Sequence, residues 1–402
     1  MDQVLAALDA EATIALTQAL IRIDSANPPG REQAVAEMLL DVARDWGLEA
    51  DLQTVAEDRA NVIIRLRGNG AAPSLLYCGH LDTVPIGDSA WDVDPFGGTL
   101  RDGRIFGRGA SDMKSGVASM LAGMAAVKSA GIALPGDVIF AGVAGEEVDC
   151  VGSRRFLDAG GMNGVGWLVV SEPTNLDLVI GHKGAFRVEI VSHGRAAHGA
   201  MPELGINAIL HMTEIIRRLQ VLPLPHRSHA LLTPPTVSIN TISGGFRVNV
   251  VPDLCRITVD IRTLPEQDHG RIRRDILALL ADLEASQPGF RATLSVIGEA
   301  APVATAATDP LVDVALRSAA RVMGKVPRTR GVNYFSDASV LQPPTDVPTV
   351  LFGPGEDELA HQVNESVPVD ALVKAAGVFA LMPLELFGDA AALKARAEVA
   401  HG

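Results

Sequence analysis

Apolar runs of strand length alternate with runs of helical periodicity along the chain as far as about residue 180. The strand-like runs are 48–55, 61–67, 74–79, 137–143 and 166–170, and the helical runs are 4–22, 31–46, 114–130 and 151–159. Strands that alternate with helices are typical of a twisted sheet with helices packed on both faces. This pattern therefore predicts an α/β fold for the first part of the chain.

The composition changes near Gly181, which indicates a second compact domain. Within it we predict strands at 185–192, 235–242, 254–262 and 291–297, and helices at 204–220 and 268–284. Beyond about residue 300 the helix–strand–helix order returns, at 309–323, 347–352 and 368–386. A chain of 402 residues exceeds one ordinary hydrophobic core. We therefore predict a discontinuous first domain, 1–182 and 296–402, with an inserted domain at 183–295.

Charge and composition argue against several classes of partner. The formal net charge is -14 at pH 7, which disfavours binding to nucleic acid or to an anionic membrane. We find no apolar run of membrane-span length and no secretory signal, so we expect a cytoplasmic protein with no membrane partner. The cysteines Cys78, Cys150 and Cys255 are odd in number and far apart, as suits a reducing compartment.

The apolar run 74–79 ends at a glycine and is followed by His80 and Asp82. Residues two apart in an extended segment point the same way, so this imidazole and this carboxylate can share a face. A histidine beside a carboxylate is typical of a metal ligand whose tautomer is fixed by its neighbour. A structural ion pair has the same sequence, so the metal hypothesis depends on further ligands.

Asp112 lies in a glycine-rich turn, 107–116, at the start of a predicted helix. Met113 stands where a phosphate-binding P-loop requires glycine before its lysine, so that interpretation fails. The same methionine stands where a nucleophile elbow requires glycine two positions after Ser111, which disfavours a serine hydrolase. What remains is a carboxylate at a strand-to-helix turn, either a metal ligand or a helix N-cap.

Other candidate ligands also follow strand ends or turns. Glu146 and Glu147 follow the run 137–143, Glu172 follows 166–170, and His361 follows a Gly-Pro-Gly turn. Adjacent carboxylates repel each other, so their adjacency calls for a reason. A division of roles, in which one residue binds metal and the other transfers protons, would explain it. A solvated acidic turn is the alternative. Open α/β sheets bind small molecules beyond the carboxyl ends of their strands, so these side chains can converge there.

A set of two imidazoles and three carboxylates results, namely His80, Asp112, Glu147, Glu172 and His361. Nitrogen and oxygen ligands without a thiolate suit zinc, cobalt or manganese. Five ligands exceed the three that one catalytic ion needs, and they fit two ions about 3.5–4 Å apart with one bridging carboxylate.

The motifs that carry these residues resemble those of a known family. G-H-L-D-T-V-P, G-R-G-A-S-D-M-K-S-G, G-E-E, S-E-P-T and A-H-Q-V-N-E are similar, in order and spacing, to those of the co-catalytic metallohydrolases. That family includes acetylornithine deacetylase, succinyl-diaminopimelate desuccinylase, aminoacylase and glutamate carboxypeptidase. The resemblance covers nearly the whole chain. It implies a zinc-peptidase-like mixed sheet flanked by helices, with an inserted α+β lid and dimerisation domain.

The resemblance also implies two zinc ions per chain, which cobalt or manganese can replace. His80 and Glu172 would hold one ion, Glu147 and His361 the other, and Asp112 would bridge them.

Further roles are implied for side chains that bind no metal. Asp82 would orient the neighbouring histidine ligand, and Glu146 would be the general base. His198, in H-G-R-A-A-H-G-A, matches a histidine that reaches a partner subunit's site to stabilise an oxyanion, so a homodimer is implied. Asn249 and Arg262 resemble positions that bind the substrate carboxylate, a task that suits the bidentate arginine fork. A strand-end salt bridge is the alternative for Arg262.

The activity implied is that of a metal-dependent amide hydrolase that releases an amino acid or related amine from an N-acyl amino acid. A metallo-carboxypeptidase or dipeptidase of the same family is the alternative, because the flanks of the S-D turn at 333–338 do not single out one member. A binding or scaffold protein on a decayed hydrolase fold is disfavoured, since Glu146 and every candidate ligand are present.

Overall fold

The computed structural model describes residues 1–389, 392 and 393. Its helices, in chain order, are α1 (Asp2–Ala6), α2 (Ala10–Ile21), α3 (Gln33–Asp45), α4 (Lys114–Ser129), α5 (Val151–Asp158), α6 (Ala208–Leu219), α7 (His269–Ser286), α8 (Pro310–Met323), α9 (Ala338–Leu341) and α10 (Val369–Gly388). Its strands are β1 (Glu49–Ala56), β2 (Arg59–Leu66), β3 (Ser74–His80), β4 (Thr99–Arg101), β5 (Arg104–Phe106), β6 (Val138–Val143), β7 (Val165–Val170), β8 (Leu178–His182), β9 (Gly184–His193), β10 (Ala197–His198), β11 (Thr236–Gly244), β12 (Val250–Val251), β13 (Leu254–Thr263), β14 (Ala292–Ala300), β15 (Val303–Ala304), β16 (Thr329–Val332), β17 (Thr349–Leu351) and β18 (Ser366–Pro368).

These elements form two compact units. The large unit comprises Met1–Gly181, Ala304–Gly331 and Ser336–Gly402, and the small unit comprises His182–Val303 and Val332–Phe335. Compared with the predicted insertion, 183–295, the small unit runs on to Val303 and takes in four residues near 332–335. The small unit extends past residue 295 because β14, which runs to Ala300, pairs along its length with β9.

The main sheet has the strand order β1-β2-β6-β3-β7-β17-β8-β15, and β16 pairs with β8. Strands β6, β3, β7 and β17 are parallel neighbours, whereas β1, β2 and β8 pair antiparallel. Every residue of β6 and β7 is buried, as expected for parallel strands that are covered on both faces. The parallel alignment brings the carboxyl ends of β3, β6 and β7 to one edge of the sheet.

Helices α4 and α10 cover the sheet and form much of the core. The Tyr77 hydroxyl on β3 donates a hydrogen bond of 2.7 Å to the Phe379 carbonyl on α10, and the two rings meet edge to face. A Cβ on Gly123 of α4 would lie 2.8 Å from the backbone nitrogen of Ala380, so glycine permits the close approach of these helices. Helix α4 is buried almost all round, as a core helix must be.

Helix α10 corrects one expectation from the sequence. It has the length and composition of a membrane span, with a mean hydropathy of 1.6 over 18 residues. Within the protein, however, 72% of that window is buried. The helix packs against α2, α4 and α8, so its apolar surface belongs to the core of the large unit.

The small unit is an antiparallel sheet of order β11-β13-β9-β14. Alternate residues of β9 and β13, such as Val188 and Val259, pack with apolar residues of α6 and α7. Most intervening positions are polar, and Arg187 forms an ion pair of 3.0 Å with Asp260 on the neighbouring strand. This alternation is typical of a sheet with one face on the core.

Two predicted helices begin or divide differently in the structure because of side-chain caps. The predicted helix 4–22 is two helices, since Asp9 caps α2 by accepting the Ala12 backbone hydrogen at 2.9 Å. The predicted helix 204–220 begins at Ala208, since the Asn207 side chain accepts from the two backbone groups that follow.

Candidate metal centre

Three parallel strands of the large unit deliver imidazole and carboxylate groups to their common carboxyl edge. Strand β3 ends at His80, the loop after β6 carries Glu146 and Glu147, and the segment after β7 carries Glu172. A Cβ on Gly79 would lie 3.0 Å from side-chain atoms of Met113 and Val117. The glycine before His80 therefore lets the start of α4, and Asp112 ahead of it, approach this edge.

The first group of candidate ligands consists of His80, Asp112 and Glu172, whose ligand atoms lie within 4.8 Å of one another. Nδ1 of His80 is 2.9 Å from the carbonyl oxygen of Asp82, and Nε2 is 3.0 Å from Oδ1 of Asp112. Because a carbonyl only accepts, Nδ1 carries the hydrogen, and a neutral ring turns its Nε2 lone pair toward a carboxylate oxygen. A proton or a metal ion is needed to make this contact favourable.

The second group consists of Asp112, Glu147 and His361. Nε2 of His361 lies 3.3 Å from Oδ2 of Asp112 and 3.1 Å from Oε2 of Glu147. Asp112 therefore belongs to both groups, with one carboxylate oxygen toward each histidine. This is the arrangement that a bridging carboxylate requires.

Burial and mutual repulsion raise the pKa of three carboxyl groups at this edge. Burial and the charge of Glu172 hold the pKa of Glu146 well above its usual value, and burial and the charge of Asp112 do the same for Glu172. Burial and the charge of Asp112 also raise the pKa of Glu147. Carboxylates crowded in this way favour a compensating cation.

The pKa values of the two histidines are also raised, because carboxylates surround both rings. Burial lowers the pKa of His80, but its contact with Asp112 and the nearby carboxylates raise that pKa well above the usual value. Hydrogen bonds to Asp112 and Glu147 raise the pKa of His361 to about 10. Burial opposes ionisation of Asp112, yet its contacts with both histidines lower its pKa. The group as a whole thus favours added positive charge.

The donor set fits metal ions. Among the described residues, Oε1 of Glu147 and Oε1 of Glu172 are buried without a hydrogen-bond partner. Buried polar atoms in folded proteins are nearly always satisfied, so these oxygens point to a ligand. With two imidazoles and the shared Asp112, they offer the nitrogen and oxygen donors that divalent ions such as zinc accept.

The Asp82 carboxylate holds the loop after β6. Its Oδ1 accepts the backbone hydrogens of Gly145 and Glu146 at 3.0 and 3.1 Å, and its Oδ2 accepts that of Glu147 at 3.2 Å. Nδ1 of His80 lies 3.6 Å from the Asp82 carboxylate, farther than from the Asp82 carbonyl oxygen. Asp82 thus contacts the His80 imidazole chiefly through its backbone carbonyl. Its side chain contacts the loop that carries Glu146 and Glu147.

Residues 76–385, which include every candidate ligand, match peptidase family M20/M25/M40. The chain belongs to this family. It is therefore a hydrolase, as the resemblance implied, and the predicted family is confirmed.

Relatives and solved structures agree with this membership. Acetylornithine deacetylase of Myxococcus xanthus is 32% identical over 344 residues, which cover 83% of this chain and 87% of that protein. A probable succinyl-diaminopimelate desuccinylase of Staphylococcus epidermidis is 27% identical over 385 residues, which cover 89% and 93%. An M20 family metallo-carboxypeptidase of Sulfolobus solfataricus aligns with a TM-score of 0.79 at 20% identity over 92% of this chain and 99% of that one. The predicted fold class, a mixed sheet flanked by helices, is thereby confirmed.

In this M20/M25/M40 hydrolase, three further candidate residues lie in the small unit. His198 on β10 is exposed, and its Nδ1 accepts the backbone hydrogen of Ala200 at 3.0 Å. Asn249 lies beside it, because its carbonyl accepts the Gly199 backbone hydrogen at 2.8 Å. The candidate ligands, by contrast, all belong to the large unit.

Arg262 forms the strand-end ion pair that the sequence left open as its alternative. Its Nε lies 2.7 Å from Oδ1 of Asp260, two residues earlier on β13. Asp260 also pairs with Arg187, so one carboxylate faces two guanidinium groups. The local charge of this cluster is therefore positive.

Two buried carboxylates of this hydrolase lie in motifs singled out in the sequence, the S-D turn and A-H-Q-V-N-E, but were given no role there. Asp337 is fully buried and accepts a hydrogen bond from Ser153 at the start of α5, and burial raises its pKa to about 6. Glu365 is also fully buried and pairs with Arg108 at 2.7 Å. A signal for Glu365 was present in the sequence, because a charged Arg108 inside a glycine-rich turn requires a counter-ion if it is buried.

Proposed function

We propose that this M20/M25/M40 hydrolase is a deacylase that uses two zinc ions to release an amino acid or related amine from an N-acyl amino acid. The observation that carries the proposal is Asp112, whose two carboxylate oxygens face two different histidines. The choice of substrate class is supported by the curated relatives, whose names are acetylornithine deacetylase and probable succinyl-diaminopimelate desuccinylase.

The candidate ligands would divide between two ions. His80 and Glu172 would hold one ion, Glu147 and His361 the other, and Asp112 would bridge the pair. When bound, such ions polarise an amide carbonyl and lower the pKa of a water molecule toward neutrality. Cobalt or manganese can replace zinc, because both accept the same nitrogen and oxygen donors.

Glu146 is the proposed general base. It is buried beside the candidate ligands, and the contact of its backbone with Asp82 fixes its position. Burial raises the pKa of its carboxyl group well above the usual value, whereas nearby cations would lower that pKa toward the working range of a base. Glu146 takes a proton from the attacking water and returns it to the leaving amine as the C–N bond breaks.

His198 is the proposed donor to the oxyanion, acting in a homodimer. Because Nδ1 of the ring accepts a backbone hydrogen from Ala200, a neutral His198 carries its own hydrogen on Nε2. A hydrogen on Nε2 of an exposed side chain is available to a developing negative charge. Asn249 and Arg262 are the proposed ligands of the substrate carboxylate.

We also place the protein in the cytoplasm. Cys78, Cys150 and Cys255 are buried as free thiols. Free thiols persist in a reducing compartment, where disulfides are rare.

A peptidase is the second candidate function, and the fold similarity to a metallo-carboxypeptidase favours it. The deciding experiment is a substrate screen of acetylated, succinylated and formylated amino acids against dipeptides, with zinc or cobalt added. We expect the acyl amino acids to be hydrolysed faster. Hydrolysis of dipeptides alone would favour the peptidase, and no hydrolysis in either class would contradict both functions.

A further inference from the structure

Glu365 lies four residues after His361 and is fully buried in the large unit. Its Oε1 accepts the backbone hydrogens of Ser111 and Asp112 at 2.7 and 2.9 Å, and its Oε2 accepts that of Gly109 at 3.0 Å. One carboxylate therefore binds three backbone groups of the turn that presents Asp112.

Arg108 supplies the counter-charge and is itself almost fully buried, with 2% of its surface exposed. Its guanidinium lies 2.7 Å from Oε2 of Glu365 and stacks over the Trp91 ring at 5.1 Å. The same group donates to the carbonyl oxygens of Pro85 and Gln362 at 3.3 and 3.2 Å. Arg108 thus joins the segment after His80 to the segment that begins with His361.

Asp112 is held at two points by the segment 361–365. His361 contacts its carboxylate, and Glu365 binds its backbone hydrogen. The turn also contains Gly109, whose φ of 85° lies in the left-handed region that favours glycine. Because the surrounding carboxylates repel one another, a turn without such anchors would move Asp112 away from the other ligands.

We propose that the Glu365–Arg108 ion pair is a positioning device that holds Asp112 in its bridging position before any metal ion binds. This inference rests on the dinuclear site of the proposed function and adds two residues that bind neither metal nor substrate. A charge-assisted carboxylate that accepts three backbone hydrogens is rigid, so the turn is organised in the metal-free protein.

The first test is Glu365→Gln, which keeps the size of the side chain but turns an amide NH₂ toward backbone N–H donors. Residues that support metal ligands typically contribute about 10–100-fold to metal affinity. We therefore expect the zinc dissociation constant, measured by competition with a chelator, to rise about 10–100-fold. The absorption spectrum of the cobalt-loaded variant should also change.

The matched control is Asp137→Asn. Asp137 accepts the Gly68 backbone hydrogen at 2.9 Å and pairs with Arg67 at 3.1 Å, just before β6 begins, at the opposite edge of the sheet. This variant also changes a carboxylate that accepts a backbone hydrogen and pairs with an arginine, but it should bind zinc like the wild type. A folded Glu365→Gln protein with wild-type zinc affinity would overturn the inference.

The second test needs no variant, so it decides the matter even if Glu365→Gln does not fold. Hydrogen exchange in the metal-free wild type should be slow at the amides of Gly109, Ser111 and Asp112, at a rate similar to that of the buried strand β6. Fast exchange at these amides that slows only when zinc is added would contradict positioning before metal binding.

The two proposals fail in distinguishable ways, because neither test uses a substrate. A protein that binds no zinc would contradict the proposed function and this inference together. Zinc binding that is insensitive to Glu365→Gln would contradict this inference alone, and a negative substrate screen would contradict the proposed activity alone.

Discussion

The carboxylate of Asp82 accepts the backbone hydrogen of Glu146 at 3.1 Å, so a residue that follows β3 fixes the loop that follows β6. The two strands are parallel neighbours in which His80 pairs with Val143, which brings both strand ends to the same level. Asn27 binds the other oxygen of the same carboxylate at 2.9 Å. The proposed base is therefore positioned by a residue far from it in the sequence.

Asp82→Asn should lower kcat/KM by about 10–100-fold, because the introduced amide NH₂ faces backbone donors and releases the Glu146 loop. Steady-state kinetics with the best acyl substrate measures this loss. Asp51→Asn, which changes an exposed carboxylate on β1, is the control and should leave the rate unchanged. Equal rates for the two variants would contradict a positioning role for Asp82.

Glu146→Gln and Glu147→Gln should separate proton transfer from metal binding. General base catalysis contributes about 10²–10⁴-fold, so Glu146→Gln should lose turnover on that scale and keep both zinc ions. Glu147→Gln should also weaken the binding of one zinc ion, because Glu147 is itself a candidate ligand of the second group. Elemental analysis and kinetics on both variants test this, and near-normal turnover by Glu146→Gln would show that the assignment is wrong.

His198→Ala should lower turnover by about 10²–10³-fold, the usual effect of removing one oxyanion donor, without loss of zinc. If His198 acts on a partner subunit's site, mixing this variant with inactive Glu146→Gln under subunit exchange should restore activity. One site of a mixed dimer then combines an intact base with an intact histidine. Verified heterodimers without activity would mean that His198 serves its own subunit or has no catalytic part.

Zinc content and stability should change together. We expect two equivalents of zinc per chain by elemental analysis, and chelation should abolish activity. A ligand present at about 100 times its dissociation constant adds about 2.7 kcal/mol to the free energy of unfolding, so chelation should also lower Tm. A fully active protein that holds no metal would contradict the proposed function.

His182 should make the protein sensitive to acid. Burial lowers the pKa of this histidine to about 4, so the unfolded chain binds a proton more readily than the folded one between about pH 6.5 and pH 4. Its contribution to stability is therefore present above that window and is lost as the pH falls through it, by up to about 3 kcal/mol. His182→Asn keeps a donor toward the Lys183 carbonyl and removes this titration.

Unfolding curves of His182→Asn at several pH values should show a smaller loss of stability in acid than those of the wild type. His226→Asn is the control, because His226 is an exposed residue of the small unit. It should follow the wild-type curve. An identical pH dependence for all three proteins would contradict the role of His182.

The sequence predicted the α/β core and the candidate ligands for the same physical reason. Buried parallel strands are continuous apolar runs, and the polar residue that ends such a run must lie at the carboxyl edge, as His80 and Glu172 do. The sequence did not predict the contacts of Glu365 with the Asp112 turn, because the two segments are 253 residues apart. The cap at Asp9 was missed since helical periodicity continues across it.

Because both candidate ion positions share Asp112, the binding of two ions there should be energetically coupled. When two ions use the same carboxylate, the factor by which the first changes the affinity for the second must equal the factor by which the second changes the affinity for the first. A zinc titration of this protein should therefore need one interaction constant in addition to two affinities. When metal is scarce, loss of the ion from one position would then change the affinity of the other position for its ion.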